Sequence, residues 1–144
     1  MLSVGYLALT KLPDEYAALI AAGARFEPWY RFFPWEDWRE QRPAIIERDI
    51  LPALNEWAAQ SEKSNAQRAL GRQDRVRLYF GTEGTHWDEE RVLDRYELLY
   101  EAGLIEESKR DGRPAALTRK SVPALGVPMR FDHRRILATA IARL

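Results

Sequence analysis

Three clusters in this sequence combine residue types and spacings that chemistry can use. Glu97 and Glu101 stand four apart just before Gly103. On a helix they share one face and could share a divalent cation such as magnesium. Paired acids on a solvated helix face are also commonplace, and then they bind nothing. The run Met129-Arg130-Phe131-Asp132-His133-Arg134-Arg135 gathers arginines and a histidine at a helix start. Arginines in a first turn oppose the helix dipole, an arrangement that suits a bound anion held by backbone N–H groups and guanidiniums together. The competing reading is a solvated basic turn with Asp132 as cap and His133 as a hydrogen-bonded structural residue. The third cluster sets Arg31, Glu36, Asp37 and Arg39 among Trp29, Tyr30, Phe32, Phe33, Trp35 and Trp38. Indoles stack on planar bases and arginine holds phosphate, which singles out Trp35, Trp38 and Arg31. Burial in the core is the alternative fate of these rings.

The elements that must position these groups can be read from periodicity and punctuation. Leu2 to Leu9 is apolar on both alternating sides, as a strand covered on both faces would be. Pro13-Asp14-Glu15 opens a short helix over Glu15–Ala22 that stops at Gly23. The aromatic run from Arg25 to Phe33 suits a strand ended by Pro34. From Pro43, the spacing Ile46, Ile50, Leu54, Trp57 predicts a helix with one buried face, and Pro52 kinks it or begins a second helix. Gln60 to Asp74 is polar and contains Gly71, which predicts a flexible loop. Arg75 to Phe80 alternates like a short half-buried strand. Asp88–Ala102 has acids at its start and Gly103 beyond its end, the signature of a helix with a left-handed glycine cap. Lys109–Pro114 reads as a turn. Asp132 caps a final helix, His133–Leu144, whose buried face is Ile136 or Leu137, Ala140, Ile141 and Leu144.

Composition narrows the function classes. The 144 residues suffice for one domain with one core, and the 22 basic residues balance 22 acidic ones. No global field therefore draws the chain to nucleic acid, and an anion site must be local. The absence of cysteine excludes disulfides, thiolate metal sites and cysteine nucleophiles, and His86 with His133 is too few for a histidine-rich zinc site. Met1 to Tyr6 has no leader features, and no apolar run nears the roughly 20 residues of a spanning helix. A cytoplasmic location without a membrane partner is expected. The chain enters a central-type strand at its second residue and stops on an apolar residue of an uncapped helix, so more sequence is expected on both sides in a parent protein.

The helix before Gly103 invites two further readings. Glu97-Leu98-Leu99-Tyr100-Glu101-Ala102-Gly103-Leu104 fits several places of a Nudix box, whose carboxylates hold metal against a diphosphate. Tyr96 stands in place of its arginine, Tyr100 in place of a metal-binding glutamate, and Asp88 in place of the upstream glutamate. A hydrolase would therefore rest on Glu97 and Glu101 with magnesium. The same stretch, continued through Lys109–Arg113 and Ala116-Leu117-Thr118, resembles the recognition helix and wing of winged-helix DNA-binding proteins. Its side chains are mainly acidic, with Arg91 and Arg95 as exceptions, the wrong sign for phosphate. Arg110 and Arg113 would be that module's phosphate contacts.

Three segments in order carry a family resemblance. They are Ser3-Val4-Gly5-Tyr6-Leu7-Ala8-Leu9, then Arg31-Phe32-Phe33-Pro34-Trp35-Glu36-Asp37-Trp38, then Phe131-Asp132-His133-Arg134-Arg135-Ile136-Leu137. In this order the chain resembles the Nudix-related transcriptional regulators of NAD metabolism, most closely a longer bacterial branch with a helical segment between the motifs. The resemblance implies an α+β fold, a partial Nudix-like α/β sandwich with few strands and about four to five helices. It implies one domain over 1–144 with a helical insertion at about 41–126. The implied function is non-catalytic nucleotide sensing and assembly, with ADP-ribose or an NAD-related molecule as ligand and a homodimer as the possible assembly. Stacking would fall to Trp35 or Trp38, and phosphate contacts to Arg31, Arg130, His133, Arg134 and Arg135. The family's Nudix helix precedes the segment matching Ser3, and its DNA-binding region follows the one matching Leu144. DNA contact is thus expected only through a region outside this chain, and the incomplete box at 88–104 lies on the other side of the first strand from the family's box.

Overall fold

The stripe Ile46, Ile50, Leu54 and Trp57 anchors the core, each of the four at most 4% exposed. In the computed structural model, which describes residues 17–62, 66–81, 87–108, 110 and 125–143, this stripe spans a π-helical turn, Ile46–Ile50, and helix α2, Leu51–Glu62. Leu51 N–H donates to the Ile46 carbonyl across the widened turn. Pro52 gives the reason: its ring clashes with the carbonyl a turn back and it has no N–H, and a π turn relieves both defects without ending the helix. The buried face therefore runs straight through the proline.

Helix α1 is Ala17–Ala21 and stops at Gly23, whose φ of 96° is left-handed. Helix α3 is Ala66–Phe80 and packs along α2. It replaces both the loop expected to reach Asp74 and the strand expected over Arg75–Phe80. The alternation of Val76, Leu78 and Phe80 was misleading because Val76 and Phe80 are also one helical turn apart. Both are buried, whereas Leu78 is 59% exposed. A 3₁₀ turn, Glu89–Arg91, leads into helix α4, Val92–Glu101. Gly103 closes α4 at φ 73°, where a side chain would be strained, and Leu104 N–H returns to the Leu99 carbonyl at 2.9 Å.

No strand forms over Arg25–Phe33. Trp29–Arg31 and Pro34–Glu36 are 3₁₀ turns instead. Pro28 and Pro34 precede or open these turns, fixing φ and removing donors that a sheet ladder needs. The aromatic rings are gathered by a turning backbone: Phe33 meets Trp35 at 5.7 Å and Tyr96 at 6.3 Å, edge to face in both cases. Two-residue strands β1, Glu107–Ser108, and β2, Met129–Arg130, pair in parallel. Helix α5, His133–Ile141, packs on α4.

The described residues are thus mostly helical with a single short strand pair, an α+β arrangement with few strands. One hydrophobic cluster joins residues from Phe33 to Ile141. The strand expected at Leu2–Leu9 and, apart from Arg110, the turn at Lys109–Pro114 lie outside the described residues. On α5 the inward positions are Arg134, Leu137, Ala138 and Ile141. Ile136 is 55% exposed and Ala140 faces outward too, because Arg134 takes a core-facing position and sets the helix's rotation. Asp132 stands at the N-cap, yet its side chain makes no capping hydrogen bond.

Helical α3 predicts opposite responses at neighbouring positions. Phe80→Ala should lose about 3–5 kcal/mol. Leu78→Glu should change stability by less than about 0.5 kcal/mol. Urea denaturation of the two variants checks this; equal losses would restore the strand.

Candidate functional site

Glu36 is 1% exposed in the second 3₁₀ turn, so its carboxylate must find partners inside the protein. Arg95 of α4 supplies them in a two-pronged pair: Nε donates to Oε1 at 2.6 Å and Nη2 to Oε2 at 2.7 Å. Trp87 Nε1 donates to Oε2 at 2.6 Å. Arg95 Nη2 also reaches the Asp88 carbonyl at 2.6 Å. The aromatic turn is thereby tied to the start of α4.

Beside this pair opens a cleft of about 910 Å³, bordered by Trp38, Arg42, Tyr79, Trp87, Arg91 and Arg95 among others. That size suits a nucleotide-sized molecule. Trp38 is half-buried, and its Nε1 donates to the Trp35 carbonyl at 3.2 Å, which fixes the ring. Arg42 closes the end of α3: Nη2 donates to the Phe80 carbonyl at 2.7 Å and Nη1 to Gly81 at 3.2 Å, while Nε donates to Glu47. Arg91 is engaged more loosely, 3.7 Å from Asp88 and 3.6 Å from Asp94, with its guanidinium 5.6 Å from the Tyr79 ring. The cleft therefore brings indole side chains and guanidiniums together, with Arg42 lying 5.4 Å from the Trp38 ring centroid and Arg91 in longer ion pairs at 3.6 and 3.7 Å.

A second polar cluster lies under α5. Arg134 is 1% exposed. Its Nη1 donates to the carbonyls of Phe32 at 2.8 Å and Leu125 at 3.3 Å, and Nη2 to Val127 at 2.6 Å. Its Nε stands 2.7 Å from Glu107 Oε1, close in charge but not aligned as a hydrogen bond. Gly126, at φ 78°, lets the loop approach: a Cβ there would lie 2.9 Å from Pro34 Cδ and 3.0 Å from the Phe32 carbonyl. Arg110 follows β1, donating to the Tyr96 hydroxyl at 3.1 Å and to Glu97 Oε2 at 2.8 Å. Burial pushes the Glu107 carboxyl up to about 7, against the pull of Arg134 and Arg110. Burial, and then the Glu107 charge, push the Tyr96 phenol well above its ordinary value. Burial lowers Arg134.

These positions redistribute the residues singled out by sequence. Trp35 is fully buried in the core and offers no face for stacking, whereas Trp38 borders the cleft. Arg31 lies at the surface in an ion pair with Glu27 at 2.8 Å. The arginine run at the start of α5 is split, because a helix turns successive residues in different directions. Arg134 points into the core and serves the fold, while Arg130, His133 and Arg135 are exposed. Phe131 between them adopts φ 52°, a strained value for a residue with a side chain. Glu97 and Glu101 do not converge on one point: Glu97 pairs with Arg110 and, at 3.4 Å, with Arg135, while Glu101 pairs with Arg75 at 2.6 Å. Among the described residues no three acids or histidines come together as a metal site. Arg110 is 5% exposed, so it does not present itself to a DNA phosphate, and Arg113 lies outside the described residues. No described helix is long and apolar enough to cross a membrane.

Sequence reasoning missed Arg42, Trp87 and the buried Glu36–Arg95 pair. Trp38 and Glu36 did stand out in the aromatic cluster, and Arg91 and Arg95 as the basic exceptions on an acidic helix, but nothing in their spacing joined them into one site. No protein-family model matches this chain, and no curated protein matches it.

Removing one partner of the Glu36–Arg95 pair leaves an uncompensated buried charge. Arg95→Ala should lose about 3–5 kcal/mol. The double variant Glu36→Gln/Arg95→Met should lose less than the single one, which a denaturation cycle over both positions measures.

Proposed function

We propose that this chain is the non-catalytic, nucleotide-sensing and assembly portion of a Nudix-like regulator of NAD metabolism, working in the cytoplasm. Its fold is then a partial Nudix-like sandwich in which α2, α3 and α4 belong to the helical insertion. The ordered resemblance of the segments at Ser3, Arg31 and Phe131 supports the family. The observation that carries the ligand reading is the cleft of about 910 Å³ that Trp38, Arg42 and Arg91 border together. ADP-ribose or an NAD-related molecule has the matching chemistry, a planar base joined to a diphosphate. Trp38 stacks on the base and Arg91 takes phosphate charge. DNA contact is left to a region beyond this chain.

Turnover as a Nudix-type diphosphate hydrolase draws no support from the positions of Glu97 and Glu101, which are committed to different arginines. A winged-helix role draws none from the buried Arg110.

Calorimetric titration with ADP-ribose and with NAD tests the proposal. Wild-type protein should bind at least one of them, and Trp38→Ala and Arg91→Ala should each weaken binding by about tenfold, ~1.4 kcal/mol. Arg134→Ala is unsuitable as a site variant, since Arg134 supports the fold. Absence of binding by the wild type to either molecule would overturn the proposal.

A further inference from the structure

Helix α5 turns Arg134, Leu137, Ala138 and Ile141 into the core. Its outer face is not simply polar. His133, Ile136, Ala140 and Arg143 recur at helical spacing along one side, and all four are exposed. Ile136 is 55% exposed. Just before the helix, Phe131 is 49% exposed, and its ring lies 5.8 Å from that of His133. Phe131, His133 and Ile136 thus form one continuous strip. Phe131 also holds φ 52°, a left-handed backbone that a bulky side chain rarely adopts. Burial does not repay this strain, because Phe131 stays half exposed. Strain kept at an exposed aromatic residue is a mark of function.

The charge around the strip is one-sided. Residues 129–143 carry four arginines and one acid, Asp132, which stands 3.8 Å from Arg110. With Arg134 turned inward, Arg130, Arg135 and Arg143 remain on the outside. We propose that this face of α5 docks an acidic, amphipathic protein segment, whose bulky apolar side chains cover Phe131 and Ile136 while its carboxylates meet the three arginines. Charge selects this occupant. A second copy seated through the same face would set arginines against arginines. A phosphate-rich surface would answer the arginines and leave Phe131 and Ile136 uncovered. An anionic membrane would gain two bulky apolar side chains, a weak anchor. None of the residues of this strip borders the cleft beside Trp38, so the surface is separate from the nucleotide reading.

Fluorescence anisotropy on the whole chain tests the docking. The probe is a labelled peptide of about twelve residues, long enough to lie along α5, with leucines at helical spacing among glutamates. Wild-type protein should bind it at least about tenfold more tightly than a counterpart with lysines in place of the glutamates. Phe131→Gly is the decisive variant. Glycine adopts φ 52° without strain, so the fold is kept while the anchor is lost. Binding should fall by about tenfold or more, with the thermal midpoint unchanged or raised. Ile136→Ser and Arg143→Glu should each weaken binding as well. Should Phe131→Gly fail to fold, Ile136→Ser carries the same test. No binding by the wild type, equal binding of the lysine peptide, or full binding by folded Phe131→Gly would overturn the proposal. Self-association that vanishes in Phe131→Gly would overturn it in favour of a second copy. Cosedimentation with phosphatidylserine vesicles in place of peptide binding would overturn it in favour of a membrane.

Discussion

A guanidinium is a poor occupant of a protein interior unless its donors and its charge are both answered. Arg134 answers its charge with Glu107 and its Nη donors with carbonyls by drawing distant chain segments around itself, with Nε alone lacking an aligned hydrogen bond. Phe32 lies 102 residues before it, yet their hydrogen bond is 2.8 Å. The carbonyls of Leu125 and Val127 come from the loop ahead of β2, and Glu107 comes from β1. Two-residue strands contribute little cohesion of their own. The aromatic turn, the loop at Gly126, the strand pair and α5 therefore meet where this one cation needs acceptors. Val127 N–H donating to the Arg31 carbonyl at 3.1 Å completes the same junction.

The Glu36–Arg95 pair repeats this logic on the other side of the aromatic turn. Arg95 links Glu36 to the start of α4, and Trp87 adds an indole donor to the same carboxylate. The residues between Phe32 and Glu36 are thus pinned at both ends by buried arginines, with Phe33 and Trp35 packed between them. Trp38 emerges just beyond this clamp, at the cleft. Its position is consequently a product of two buried arginines, one bonded to the Phe32 carbonyl and one paired with Glu36.

The parts of the fold legible in sequence are those fixed by local periodicity. Ile46, Ile50, Leu54 and Trp57 announced a buried helical face, and Gly23 and Gly103 announced helix ends, because both signals act within one or two turns. Local reasoning failed where two periods coincide, as for Val76 and Phe80 on α3, and where a polar stretch containing Gly71 nevertheless forms helix. It failed again at Arg25–Phe33, where aromatic content suggested extended chain but proline-directed turns prevail. Of the candidate site, Trp38 was visible because indoles are scarce and cluster there. The division of labour at Arg130–Arg135 was not visible. Whether an arginine points inward depends on acceptors as remote as Phe32 and Glu107, which sequence spacing does not encode.

Native-state hydrogen exchange on Arg134→Lys is the most direct test of Arg134 as the organising contact. Lysine keeps the charge but cannot serve three carbonyls and a carboxylate in a fixed fork. Protection of the Val127 amide should collapse in this variant, while amides in the middle of α2, such as Leu54, keep most of theirs. Val127 protection equal to that of the wild type would contradict the account.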